Sequence, residues 1–160
     1  MRFIRYQAEY QEPMLELHRS AITGLHLGMS QQADEADLLN IDQFYYYTGG
    51  EFLLGLLAGR LVSMGGFRRL SITVAELRRM RIEHDLQGKG YGTKILHELE
   101  HRAFHSGIRT LCLETAQSRP LTLKFYRKHG YEETGTGQYG DVETVRFEKS
   151  LNELASQSAQ

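Results

Sequence analysis

A chain of 160 residues, 41% hydrophobic and 24% charged, is long enough to bury a sizeable core in one domain, and no apolar run approaches the roughly 20 residues that a membrane-spanning helix needs. Its formal net charge of −1 argues against a nucleic-acid binder that works by neutralising many phosphates. Met1-Arg2-Phe3-Ile4-Arg5 leads straight into an alternating pattern with no apolar segment or cleavage site behind it, so no secretory signal is expected and the cytoplasm is the expected location.

In chain order, Arg2 to Gln7 alternates and predicts a first, edge strand, and Tyr10 to Leu27 carries Met14, Leu17, Ile22 and Leu25 at helical spacing behind a Glu12-Pro13 helix start. Gly24 to Gln32 is loop-like. Ala33 to Phe44 predicts a second helix opened by Asp34, Glu35 and Asp37, whose charges favour its positive end. After Tyr45-Tyr46-Tyr47 and a Gly49-Gly50 turn, Glu51 to Leu57 predicts a strand that Ala58-Gly59 turns back into Arg60 to Phe67 as a hairpin. Ser71 to Glu83 is the fourth strand, where Arg78, Arg79 and Arg81 sit awkwardly unless some point outward or at a ligand. Tyr91 to Ser106 carries Ile95, Leu96, Leu99 and Ala103 at helical spacing, and Gly107 caps it. Thr110 to Glu114 reads as a short parallel strand in which Leu111-Cys112-Leu113 places the lone cysteine in the core. Ser118 or Arg119 with Pro120 starts a helix that Leu121 to His129 continues and Gly130 ends. Tyr131 to Thr134 and Val142 to Ser150 form a last hairpin through Gly135 to Gly140. Residues 1–151 then make one domain, followed by a polar tail at 152–160. The order β-α-α-β-β-β-α-β-α-β-β predicts an α/β fold with a sheet of mixed direction.

Between the fourth strand and the next helix lies Gln87-Gly88-Lys89-Gly90-Tyr91-Gly92. Glycines there let the backbone approach a ligand and take positive φ, while the helix start offers unpaired N–H groups and a positive dipole end to an anion. That describes a cradle for phosphate or pyrophosphate. It is not a P-loop, since Lys89 sits between the glycines with no Ser or Thr beside it, and the Gly88-x-Gly90-x-Gly92 order is not the dinucleotide fingerprint. Residues 1–75 hold six Lys/Arg against eight Asp/Glu, and residues 76–160 thirteen against twelve. Arg78, Arg79, Arg81, Lys89, Arg119, Lys124, Arg127 and Lys128 flank the loop and the later helix, as a polyanionic ligand would require.

A competing motif is His97-Glu98-Leu99-Glu100-His101, which on a helix could hold zinc. Helical phase sets His97, His101 and His105 opposite Ile95, Leu96, Leu99 and Ala103, toward solvent, and the extended protease pattern is broken by Phe104 and Gly107. No metal is expected.

Gln87, Gly90 and Gly92 match the Gln/Arg-x-x-Gly-x-Gly/Ala signature of GNAT-type N-acetyltransferases. Leu77-x-x-Met80-x-Ile82 resembles that family's fourth strand, and Lys124-Phe125-Tyr126-Arg127-Lys128-His129-Gly130-Tyr131 resembles its Phe-Tyr-x-x-x-Gly-Phe/Tyr segment. The resemblance covers Phe52 to Leu151; earlier residues match in length and pattern only. It implies a GNAT-like mixed, mostly antiparallel sheet with helices on both faces, and acetyl-CoA as cosubstrate. The N–H groups of Gln87, Gly88, Lys89, Gly90, Tyr91, Gly92 and Thr93 would take the pyrophosphate. The pantetheine arm would enter where the fourth and fifth strands part and pair with the backbone of Met80, Arg81 and Ile82. Tyr126 matches the tyrosine that protonates the departing thiolate, its alternative being a core aromatic.

Glu76 resembles the catalytic glutamate of some histone-acetylating members, although others use water chains and a structural glutamate is the alternative. Where many members carry an asparagine that contacts the cofactor, this chain has Arg119, which could bind a cofactor phosphate instead. The implied reaction transfers acetyl to a primary amine of a small molecule or peptide; a non-catalytic acyl-CoA-binding domain is the alternative, and association into a homodimer is left open. Asp34, Glu35, Asp37 and Asp42, with Tyr45 to Tyr47, lie where the resemblance places the acceptor wall. Carboxylates and ring faces both favour cations, so a cationic amine is one expectation. The other is that the acids serve a helix start and the tyrosines pack on the sheet.

Overall fold

A computed structural model describes residues 1–154, so most of the polar tail lies outside the described residues. Seven strands form one sheet: β1 (Arg2–Arg5), β2 (Glu51–Leu57), β3 (Arg60–Arg69), β4 (Val74–Ile82), β5 (Thr110–Ala116), β6 (Glu132–Tyr139) and β7 (Val142–Ser150). Their spatial order is β1-β2-β3-β4-β5-β7-β6, and only β4 and β5 run parallel. The helices are α1 (Gln11–Ala21), α2 (Gln31–Asp34), α3 (Tyr91–His105) and α4 (Pro120–Lys128). The mixed, mostly antiparallel architecture predicted from sequence is therefore present.

Both faces of the sheet are covered, which explains why β2 is a near-continuous apolar run rather than an alternating one. Phe52 and Leu54 pack with Met14, Leu15, Leu38 and Tyr45 on one face. Leu53 packs on the other, in a core built from Ala75, Leu77, Leu111 and Leu113 of the sheet, Ile95, Leu96 and Leu99 of α3, and Leu123 and Tyr126 of α4. Each fully buried side chain of this size contributes about 1.5–3 kcal/mol. Pro120 opens α4 at its first turn, where the missing N–H costs nothing. Gly107, at φ +97°, ends α3, and Ile108 N–H reaches back to Ala103 O.

Four expectations need correction. α1 stops at Ala21 rather than continuing to Leu27, so 22–30 is a loop. The second helix, expected over Ala33 to Phe44, is a single turn capped by Ser30, whose Oγ accepts from Ala33 N at 3.1 Å, followed by turns and a π-helical segment, Asp42–Tyr46. Local helix propensity loses there because Asp34, Glu35 and Asp37 turn inward to partners instead of lining a helix start. The glycine-rich stretch 135–140 is mostly strand: β6 runs to Tyr139 and the turn is confined to Gly140 and Asp141. That turn docks on the loop after α1, with Asp141 N–H donating to Leu27 O at 2.7 Å. Cys112 is half-buried on the face opposite Leu111 and Leu113, and burial pushes its thiol up to about 11.

Candidate active site

The sheet opens at its centre. β4 and β5 pair only at Val74 with Thr110, Ala75 with Leu111 and Glu76 with Cys112; beyond this β5 follows β7 as far as Ala116 while β4 stays with β3 to Ile82. The gap is a cavity of about 410 Å³, walled by β4 from Glu76 to Ile82, β5 from Leu113 to Ala116, α4 through Tyr126, and the hairpin residues Gln138 and Tyr139. A larger, more open hollow of about 890 Å³ lies under the loop after α1; it shares Ile22, Leu25, Leu27 and Asp34 with the cleft but holds none of the residues singled out as cofactor-binding or catalytic.

A β-bulge explains the three awkward arginines. Gly66 pairs with Arg78 and Met64 with Arg81, so Arg79 and Met80 together oppose Gly65. Arg79 takes φ +60°, a strained value for a residue with a side chain. The bulge reverses the alternation: Ala75 and Leu77 before it, and Met80 and Ile82 after it, all meet the α3–α4 core. Arg78, Arg79 and Arg81 are thereby kept out of that core.

Arg79 is clamped. Its Nε donates to Asp37 Oδ2 at 3.0 Å, and its Nη2 to Asp37 Oδ1 at 2.7 Å and to Asp34 O at 2.5 Å. Tyr45 donates to Asp37 Oδ2 at 2.5 Å, Tyr139 to Asp34 Oδ1 at 2.6 Å, and His18 Nε2 to Asp34 Oδ2 at 2.8 Å. Burial alone would raise both carboxyls, but these donors outweigh it and hold Asp34 and Asp37 below their ordinary values. Burial depresses His18, keeping it neutral, with Nδ1 enclosed and unpartnered. Glu35 forms a two-point pair with Arg19, at 2.7 and 2.9 Å. The expectation of a cation-attracting wall is corrected for most of its residues: Asp34, Glu35 and Asp37 are buried and paired within the chain, Tyr45 is fully buried, and Tyr46 bonds the backbone at Phe52 O, while Asp42 and Tyr47 are exposed and line neither the cleft nor the hollow.

Of the residues singled out in the sequence, Glu76, Met80, Arg81, Ile82, Gln87, Arg119 and Tyr126 line the same cleft. Tyr126 is buried among Phe125, Tyr131 and Phe147, and burial pushes its phenol up to about 12 against the opposing pull of Arg81, leaving a neutral O–H at pH 7. Glu76 Oε1 accepts from Arg68 Nε at 3.0 Å and from Arg78 Nη1 at 3.1 Å. Arg119 Nη2 donates to Thr23 O at 3.2 Å, tying the start of α4 to the loop after α1.

The loop leaves β4 through Gln87, whose Nε2 donates to Ile82 O at 3.2 Å. Gly88 and Gly90 have φ of +74° and +89°, and the space a Cβ would take at each is open, as a backbone approached by a ligand requires. Gly92 is different. A Cβ there would stand 3.3 Å from Phe125, so this glycine lets the first turn of α3 sit against α4. Lys94 N–H is the first to bond within the helix, to Gly90 O, which leaves the N–H groups of Tyr91, Gly92 and Thr93 at the exposed end. Lys89 is exposed, and the Thr93 hydroxyl is engaged by His129 Nε2 at 2.9 Å. On α3, His97, His101 and His105 are exposed and Glu98 pairs with Arg102, so the His-Glu-x-x-His stretch lies outside the cleft.

Sequence reasoning missed His18 and Tyr139 and misread the role of Asp34 and Asp37. The signal available was the surplus of arginine in β4, which needed acids from elsewhere, and His18 at i+4 from Met14 on an otherwise apolar helix face.

The parted β4–β5 pair, with a glycine loop at the end of β4 and a tyrosine-bearing helix after β5, is the arrangement that the resemblance to acetyltransferases implies, and comparison with known proteins tests that resemblance. Residues 12–131 match the family model described as Acetyltransferase (GNAT) family. The chain is 32% identical over 78 residues to an IAA acetyltransferase of Azospirillum brasilense, a match spanning 48% of this chain and 51% of that relative, so it covers about half of the relative's length. Its fold is similar to that of a GNAT-family acetyltransferase from Staphylococcus aureus Mu50, with a TM-score of 0.84 at 22% identity, covering 94% of this chain and 98% of the other. A phosphinothricin acetyltransferase from Sinorhizobium meliloti, solved in complex with AcCoA, aligns with a TM-score of 0.73 at 16% identity, covering 93% and 87%. The chain belongs to the GNAT family of acetyltransferases. Among the described residues no helix is long and apolar enough to cross a membrane.

Proposed function

We propose that this protein transfers the acetyl group of acetyl-CoA directly to a primary amine of a small molecule or peptide, with residues 1–151 acting as one catalytic domain. The observation that carries the reading is Tyr126, a buried neutral phenol on the wall of a cleft that begins where β4 and β5 separate and runs to the glycine loop. Acetyl-CoA would supply an activated acyl group as a thioester, whose C–S bond breaks as the amine nitrogen forms the new C–N bond. The N–H groups from Gly88 to Thr93 hold the pyrophosphate at the positive end of α3. The Met80–Ile82 backbone, left without a β5 partner, pairs with the extended arm and orients the acyl carbonyl. Tyr126 gives its proton to the departing sulfur. The amine must shed a proton as well, and Glu76 is the proposed acceptor through a water: Oε1 is occupied by two guanidinium groups, so Oε2 does the work.

Calorimetric titration with acetyl-CoA, followed by a thiol-release screen across amines, tests this. Binding with micromolar affinity and release of CoA dependent on an amine are expected. Absence of heat at 1 mM acetyl-CoA, far above about micromolar affinity, would remove the reading. Binding without turnover on any amine would favour a non-catalytic acyl-CoA-binding domain.

A further inference from the structure

The charges on the cleft wall do not cancel locally. Its three carboxylates are each engaged: Asp34 by His18, Tyr139 and Arg79; Glu76 by Arg68 and Arg78; Glu114 by Thr144 at 2.8 Å and Arg146 at 3.0 Å. Arg78 and Arg79 are balanced by Glu76, Asp37 and Asp34. Arg81 differs. Its one hydrogen bond runs from Nη1 to the Met80 carbonyl at 2.9 Å, it has no carboxylate partner among the described residues, and its Nε is enclosed with nothing to donate to. Burial of the Nε end and the neighbouring Arg79 pull its guanidinium down to about 10, against the opposing pull of Tyr126 and Asp34, although the residue as a whole is only partly buried.

Closing off a guanidinium Nε–H from water with no acceptor is unfavourable, and the chain could have avoided it with any neutral side chain at this position. The cost is recovered if a ligand brings the anion. In a guanidinium the Nε–H and one Nη2–H point the same way, and that two-donor edge matches the two oxygens of a carboxylate. In Arg81 it is this edge that the protein leaves without acceptors. The residue lies directly after the bulge and lines the cleft together with Tyr126 and Asp34, where the acetyl-transfer reading places the reaction. The glycine loop at the other end has its own donors for cofactor phosphate.

We propose that the Arg81 fork is the receptor for a carboxylate on the acceptor, so that the amine acetylated is carried by an acidic molecule of the α-amino-acid class. This rests on the acetyl-transfer reading and narrows it: Arg81 would hold the carboxylate while the amino nitrogen, a bond or two away, faces the acyl carbon. The ammonium first loses one proton through water to Glu76; the nitrogen lone pair then forms the N–C bond, the C–S electrons leave on sulfur and take the Tyr126 proton, and the second proton leaving nitrogen returns through water to the Tyr126 oxygen.

The test uses the full chain, 15N-labelled at arginine, with L-α-amino acids and their carboxamides as matched probes. The Arg81 Nε–H resonance, assigned by its loss in Arg81→Lys, should move on addition of the acids and stay put with the amides. In the presence of acetyl-CoA, kcat/KM should favour an acid over its amide by about tenfold or more, because the amide leaves the fork unpaired. Arg81→Gln should cut that preference to within about twofold, and Arg81→Lys, which keeps the charge but not the fork, should keep part of it. Equal use of amides and acids, an unchanged preference in Arg81→Gln, or a resonance that no carboxylate moves would each overturn the proposal. So would a loss of acetyl-CoA affinity in Arg81→Gln with the preference intact, which would assign the fork to the cofactor. Acetyl-CoA binding is measured separately; its absence, with the carboxylate response retained, would sink the transferase reading and leave the Arg81 site standing.

Discussion

The Arg79 clamp can be broken by one substitution with a calculable effect. Asp37→Ala removes both fork bonds to Arg79 and the acceptor of Tyr45, leaving the guanidinium with only Asp34 and the hydroxyl of Tyr139. Stranding one member of a buried pair costs about 3–5 kcal/mol. The orphaned Tyr45 hydroxyl adds to this, while relaxation of the strained φ at Arg79, worth about 1–3 kcal/mol, returns part of it. A net loss of about 4 kcal/mol lowers Tm by about 10 °C in a domain of this size. Urea unfolding followed by circular dichroism measures it, with an unchanged slope as the check that the denatured state is the same. Arg79→Gly removes both the charge and the φ penalty, so adding it to Asp37→Ala should cost far less than it does alone, a coupling of about 2 kcal/mol or more. A loss below about 1 kcal/mol for Asp37→Ala, or additive singles, would show that the pair does not hold the bulge.

Tyr126→Phe should lower kcat by about tenfold or more while acetyl-CoA binding changes little; normal turnover across pH would remove the general-acid role, and loss of stability instead would return Tyr126 to the core. Gly90→Val places a β-branched residue at φ +89° where the ligand needs close backbone approach, so calorimetry should show weakened acetyl-CoA binding; unchanged affinity in a folded variant would reduce the loop to a turn. His18, depressed below its ordinary 6.5, binds its proton more tightly in the unfolded chain, so stability should fall as pH drops below about 6.5. Asp34, Glu35 and Asp37 are also held down, their stabilisation being present above about pH 4 and lost as pH falls through their folded values. Urea midpoints at pH 8, 6 and 5 should show the upper loss in the native chain and not in His18→Gln; an identical profile would sink the assignment.

Much of this molecule was legible because its signals are local. Glu51–Leu57 and the start of the following hairpin strand could be bounded from the Ala58-Gly59 turn, whose φ values are both positive; the ends of α3 and α4 follow from Gly107 and Gly130, and the cofactor loop from Gln87 to Gly92. The second helix was misread because Asp34 and Asp37, which suggest a helix start, answer to Arg79, more than forty positions away: their propensity is local, whereas Arg79 reaches them only once β4 is in place. The glycine-rich stretch 135–140 was misread for the opposite reason, since a strand low in intrinsic propensity can still form when β7 supplies a complete ladder. The bulge had no sequence signature, because Arg79 stands where a glycine would have announced it. Yet the anomaly was visible as three arginines in a strand flanked by core positions. That pattern is what a bulge produces when it turns one face of a strand twice toward the same side, and here it sorts the three side chains: two are neutralised by acids of the chain, and the third lines the cleft with an enclosed Nε that has no acceptor.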